Sequence, residues 1–208
     1  MYKSLVAILL TSLMHISGAS AVEPLDQLIE QLRVHESFSA EFNQVTLSED
    51  GGSISEVKGS LDLKHPNQFY WRAQAPQEQD VISNGDTLWV YDIDLEQVTI
   101  QHVAENLNQS PAVILSGNRP LIDAQYLVTT LKEAEDLYLF RLMPKSTDAS
   151  LLFMDIEVDQ GVIQQLRFED SLGQTTLITL HNVDLNPRFK KKHFRFIAPL
   201  GVDVLDQR

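Results

Sequence analysis

The sequence contains no cysteine. That excludes disulfide cross-links, thiolate metal ligands and a cysteine nucleophile, and it leaves no thiol to carry a lipid anchor. Basic residues are also scarce: 16 Lys and Arg stand against 29 Asp and Glu, a net charge of −13 at pH 7. A chain this acidic lacks the electrostatic footprint of a nucleic-acid binder, and its long-range field repels anionic membranes. Long apolar runs are missing beyond the first residues, since no later stretch approaches the ~18 consecutive apolar residues of a membrane-spanning helix. Site motifs are absent as well. The histidines at 35, 65, 102, 181 and 193 have no HxH or HExxH spacing, and there is neither a GxSxG elbow nor a phosphate-binding glycine loop. No catalytic residue, metal or cofactor is therefore read from the sequence.

What is present begins with a secretory pattern. Lys3 supplies a positive start, LVAILLTSL at 5–13 an apolar stretch, and Ala19-Ser20-Ala21 a small-residue cleavage site. Residues 1–21 are accordingly expected to be a signal peptide and 22–208 a single domain, with the protein free outside the cytoplasm.

PLDQLIEQL (24–32) places Leu25, Leu28, Ile29 and Leu32 on one helical face behind a proline suited to the first turn. From Phe38 the apolar period changes to two, with Phe38, Ala40 and Phe42 alternating with polar neighbours. The pattern continues through QFYWRAQ, DVIS, TLWVYDI and QVTIQHV, punctuated by Pro, Asn, Gly and Asp at intervals too short for crossover helices. It is interrupted at 108–125, where Ser110, Pro111 and Gly117 can cap, start and end a short helix. Further strands are predicted at 126–132, 136–143, 151–159, 162–170 and 175–183. LYLFRLM and LLFMDIEV are partly apolar on both parities, as strands covered on two sides would be. The predicted fold class is α+β, mainly β: one curved antiparallel sheet with a few helices against one face.

Five stretches in order, SFSAEFNQ, KGSLDLKHPNQFYW, SNGDTLWVYDIDLEQVT, SPAVILSGN and APLGVDVLDQR, resemble the periplasmic outer-membrane lipoprotein carriers, the LolA family. The resemblance implies an incomplete barrel with a lid of short helices over an apolar cavity that receives lipoprotein acyl chains. It implies three partners: acylated lipoproteins, an inner-membrane ATP-driven transporter that loads the carrier, and an outer-membrane lipoprotein receptor that unloads it. The carrier is expected to be a monomer, not an enzyme and without a cofactor. Alternatives are a related lipid-binding or envelope-stress-sensing module of the same fold and, from another class, a lipid-processing hydrolase with a spatially assembled triad.

On this reading Phe38, Phe42, Trp71, Trp89, Tyr91, Ile114, Leu115 and Phe140 line the cavity or its lid, because rigid aromatics hold open a space for chains of variable shape. Ordinary core packing is the alternative for each. By family resemblance Phe69 contacts the transporter. The family's latch arginine before the Pro-Asn turn is replaced here by His65, which is expected to give a weaker or pH-dependent latch, or else to face water. Asp92, Asp94 and Glu96 suggest a solvated strand edge and turn sooner than a calcium or catalytic site. RFKKKHFRF (188–196) is a dense basic cluster that fits an acidic partner, an anionic lipid surface, or a solvated counterweight to the acidic body.

Overall fold

The computed structural model describes residues 22–103, 114–115, 117–147 and 150–208. The expected signal peptide and most of the expected 110–117 helix thus lie outside the described residues. Helix α1 (Pro24–Leu32) is followed by β1 (Ser37–Leu47), β2 (Ser53–Lys64), β3 (Gln68–Ala73), β4 (Gln79–Asn84), β5 (Thr87–Asp92) and β6 (Gln97–His102). Helix α2 (Arg119–Gln125) then leads into β7 (Tyr126–Ala134), β8 (Leu137–Pro144), β9 (Leu151–Asp159), β10 (Val162–Asp170), β11 (Thr175–Leu185) and β12 (Asp203–Asp206).

All twelve strands form one sheet in the order β12-β6-β5-β4-β3-β2-β1-β11-β10-β9-β8-β7. Within β1–β6 and within β7–β11 neighbours in sequence pair as hairpins, and β1 joins the two runs by pairing with both β2 and β11. The expected antiparallel sheet has one departure, since β12 runs parallel to β6 with Val204 beside Val98. Residues 186–202, which link β11 to β12, cross the outer face, where His193 meets Asp62 of β2.

One face of the sheet carries the core. Phe38, Phe42, Leu61, Leu63, Phe69, Trp71, Val81, Leu88, Phe140, Leu142, Met154 and Ile156 are buried on it in one cluster. Helix α1 presses Leu28, Ile29 and Leu32 onto this face, each burial stabilising by about 1.5–3 kcal/mol. Helix α2 adds Ile122. Helix α2 carries its own start signal in the sequence: Asn118 accepts a hydrogen bond from the Leu121 amide, and a proline occupies the first turn.

The expectation that β8 and β9 are covered on both sides is not met. Phe140 and Leu142 face the core, but Met143 is 41% exposed. The outer side of these strands carries instead a bidentate ion pair from Arg141 to Asp155 at 2.7 and 2.8 Å, with the Arg141 guanidinium stacked 3.9 Å from the Phe153 ring.

Candidate apolar cavity and helical cover

The concave face is organised around a stacked pair, Phe42 on β1 and Trp71 on β3, with ring centroids 3.9 Å apart. The two strands are separated by β2, so the rings must lie over a residue without a side chain. Gly59 is that residue. It pairs directly with Phe42, and a Cβ there would collide with the Phe42 ring and the Arg72 carbonyl oxygen. A glycine inside a strand commonly marks such a close approach.

Beyond the stack lies a cavity of about 450 Å³ with a mixed lining, the apolar Val57, Trp71 and Ala73 standing beside Gln44, Gln77 and Gln79. This lies within the range of ~300–1,000 Å³ usual for small-molecule sites. Its rim is formed by the β3–β4 loop and the β5–β6 turn, which contribute Glu78, Asp92, Asp94 and Leu95. Asp94 and Glu96 sit in that turn and not on a strand, Glu96 with a positive φ of 49°. Leu95 at the rim is 70% exposed.

At the other end of the same strands the space is filled by the helical layer. Ile114 and Leu115 are 1% and 0% exposed, inserted among the concave-face side chains. The turn after them ends at Gly117, whose amide donates to the Ile114 carbonyl and whose φ of +66° suits glycine. Polar ties hold this layer together. Arg33 Nη2 donates to the Gly117 carbonyl at 2.7 Å, and Arg119 Nε of α2 donates to Asp26 of α1 at 2.6 Å. Thr130 of β7 donates to Gln27 of α1 at 2.8 Å, tying the layer to the sheet.

The structure thus brings Phe38, Phe42, Trp71, Ile114, Leu115 and Phe140 together on one face and under one cover. It corrects the placement of Trp89 and Tyr91. The register sets Val90 opposite Val81 and Trp89 opposite Ile82, so Leu88 and Val90 face inward and Trp89 and Tyr91 face outward. There the Tyr91 ring lies 5.3 Å from Phe196 of the crossing segment. Phe69 is completely buried opposite Leu63 and Ser83, and no partner reaches it unless the cover moves. His65 does lie at the cover, with Cε1 within 3.5 Å of where a Cβ on Gly117 would stand. The residue that sequence reading missed is Arg33. Its partner is 84 positions away, beyond the reach of any local pattern.

On the outer face Ser39, Asp62 and His193 meet, a grouping that invites a hydrolytic reading. Asp62 accepts from the Ser39 hydroxyl and stands 2.7 Å from His193 Nε2. A triad needs the imidazole between serine and carboxylate, and here the carboxylate is in the middle, so no base addresses the serine. Among the described residues no cluster of three or more His, Asp or Glu side chains could hold a metal ion.

A single curved sheet with an apolar face, a residual cavity and a helical cover has the form of a carrier of apolar chains. The model of the outer membrane lipoprotein carrier protein LolA matches residues 33–197. The outer-membrane lipoprotein carrier protein of Pseudomonas paraeruginosa is 37% identical over 197 residues, covering 95% of this chain and 93% of that protein. That of Hahella chejuensis is 36% identical over 190 residues, covering 91% and 90%. The chain belongs to the LolA family of outer-membrane lipoprotein carriers. The fold alone is shared with a LolA-superfamily protein from Nitrosomonas europaea, at a TM-score of 0.50, 15% identity and coverage of 85% of this chain and 99% of that one.

Proposed function

We propose that this protein is a periplasmic chaperone that holds the acyl chains of lipoproteins on its concave face while they cross between two membranes. The supporting observation is the division of that face into a filled end, where Ile114 and Leu115 are buried, and an open end, where about 450 Å³ remains beside Trp71. The filled end is occupied by the protein's own side chains, which cargo must displace.

The energetics favour such an arrangement. Each buried methylene is worth about 0.8 kcal/mol, so a single long acyl chain exposed to water costs on the order of 12 kcal/mol and leaves a bilayer very slowly. A dry, empty cavity would bind the chain too tightly to pass it on. Making cargo compete with Ile114 and Leu115 for the same face lowers the net affinity without narrowing the range of chains accepted. An ATP-driven transporter in the inner membrane supplies the work of loading, and a receptor in the outer membrane takes the cargo. Phe69, buried under the cover, becomes available to the transporter when the cover lifts. The expected signal peptide at 1–21 directs export.

Native mass spectrometry of protein isolated without detergent from the periplasm of cells blocked in lipoprotein delivery tests this reading. A one-to-one complex with an acylated polypeptide supports it. Phospholipid alone in the cavity favours a general lipid binder, and an empty protein under those conditions removes its support.

A further inference from the structure

Residues 187–200 cross the convex face, away from the cavity, and their side chains divide by direction. Phe189, His193, Phe194 and Phe196 turn inward. His193 Nε2 meets Asp62 of β2 at 2.7 Å, Phe189 stacks on His193 at 4.7 Å, and Phe194 is only 4% exposed. The segment is fixed at its start, where Ser37 Oγ donates to the Pro187 carbonyl at 2.9 Å, and at its end by the pairing of β12 with β6. It is therefore held against the sheet along its length.

Arg188, Lys190, Lys191, Lys192 and Arg195 turn outward and are exposed. Among the described residues none of these five joins an ion pair, although the chain carries 29 carboxylates. A counterweight to the acidic body would place these cations beside its carboxylates, and they stand apart from them. Ile197 and Leu200 follow directly, 86% and 105% exposed.

We propose that this segment is a docking surface for a bilayer containing anionic phospholipid. The cations match the headgroup charge, and the two bare aliphatic side chains beside them supply the apolar half of an interfacial anchor. The acidic body does not prevent contact. At physiological salt the screening length is about 8 Å, so carboxylates elsewhere on the molecule are screened while cations at the headgroups act directly. Attraction of this kind is weak enough to be reversible, which a carrier moving between membranes requires.

The test is co-sedimentation of cargo-free protein, residues 22–208, with vesicles of phosphatidylcholine alone or with part of it replaced by phosphatidylglycerol. Binding to the anionic vesicles alone, weakened by salt, is expected. Substituting Lys190, Lys191 and Lys192 together by Ser should lower it on the order of a hundredfold, about fivefold per cation. The Ile197→Ser/Leu200→Ser pair should lower it further, with unfolding temperature unchanged in both variants. Equal binding to neutral vesicles, binding indifferent to the lysine substitutions, or no vesicle binding by a protein whose same lysines engage an acidic polypeptide would each overturn the proposal.

Discussion

Arg33 Nη2 donates to the carbonyl oxygen of Gly117 at 2.7 Å, joining the residue that ends α1 to the residue that ends the Ile114–Leu115 turn. The bond crosses between two pieces of the cover, so it holds the layer together without fastening it to the sheet. Arg119 to Asp26 does the same between α2 and α1. Cargo that lifts Ile114 from the concave face must then either move the helices jointly or break these ties.

Arg33→Ala should loosen the cover. A hydrogen bond of this kind contributes about 1 kcal/mol, so the open fraction should rise roughly five- to tenfold. His65→Ala, which removes the side chain beside Gly117, is the comparison variant. Hydrogen exchange at Ile114, Leu115 and α2 measures both. Faster exchange in Arg33→Ala, partly restored in Arg33→Lys, would assign the clasp to Arg33, whereas a dominant effect at His65 would return it to the turn.

Gly59→Ala should be among the most damaging conservative changes in the sheet. The new methyl meets the Phe42 ring and the Arg72 carbonyl together, and only the ring can move. Overpacking of this order costs about 1–3 kcal/mol. Adding Phe42→Leu should recover part of that loss in chemical denaturation, because it removes the flat ring that the methyl strikes. A double variant no more stable than Gly59→Ala alone would place the damage in the backbone.

How far the fold was legible depended on whether one parity of a strand stood out. On β1 and β3, Phe38, Phe42, Phe69 and Trp71 alternate with polar residues and Tyr70, and their face was readable. TLWVYD offers two apolar parities, Leu88 with Val90 and Trp89 with Tyr91. Both are covered, one by the core and the other by the segment returning 100 residues later, and only the pairing of Val90 with Val81 decides between them. In β8 the same two-sided pattern had the opposite outcome, since Met143 on the outer side is 41% exposed. The cavity was legible as a group of residue types, while the clasp and the rim depended on partners distant in sequence.

Stability should fall at alkaline pH through two tyrosines. Burial pushes the Tyr126 hydroxyl above its ordinary value. Tyr70 is raised first by burial and then by its 2.6 Å hydrogen bond to Asp80, with Arg72 opposing. A raised folded-state value favours the neutral form in the native protein. The resulting stability is complete below the unfolded tyrosine value of about 10 and is lost as pH rises through the folded values. Denaturation midpoints should therefore hold steady on the acid side of about pH 10 and decline above it. Tyr70→Phe should make that decline shallower, and an unchanged slope would assign the effect elsewhere.

The chain has two tryptophans, and they lie on opposite faces of the sheet. Trp71 stacks on Phe42 and lines the cavity, whereas Trp89 lies on the convex side opposite Ile82. Acyl chains entering the concave face must alter the surroundings of Trp71 and leave those of Trp89 nearly as they were. Titration with an acylated peptide should change the intrinsic fluorescence of the wild type and of Trp89→Phe to a similar extent, while Trp71→Phe should respond little. Trp71→Phe should also weaken binding, since the smaller ring presents less apolar area to the cavity. Were the response carried by Trp89 instead, the ligand would be binding the convex face, and the cavity beside Trp71 would not be its site.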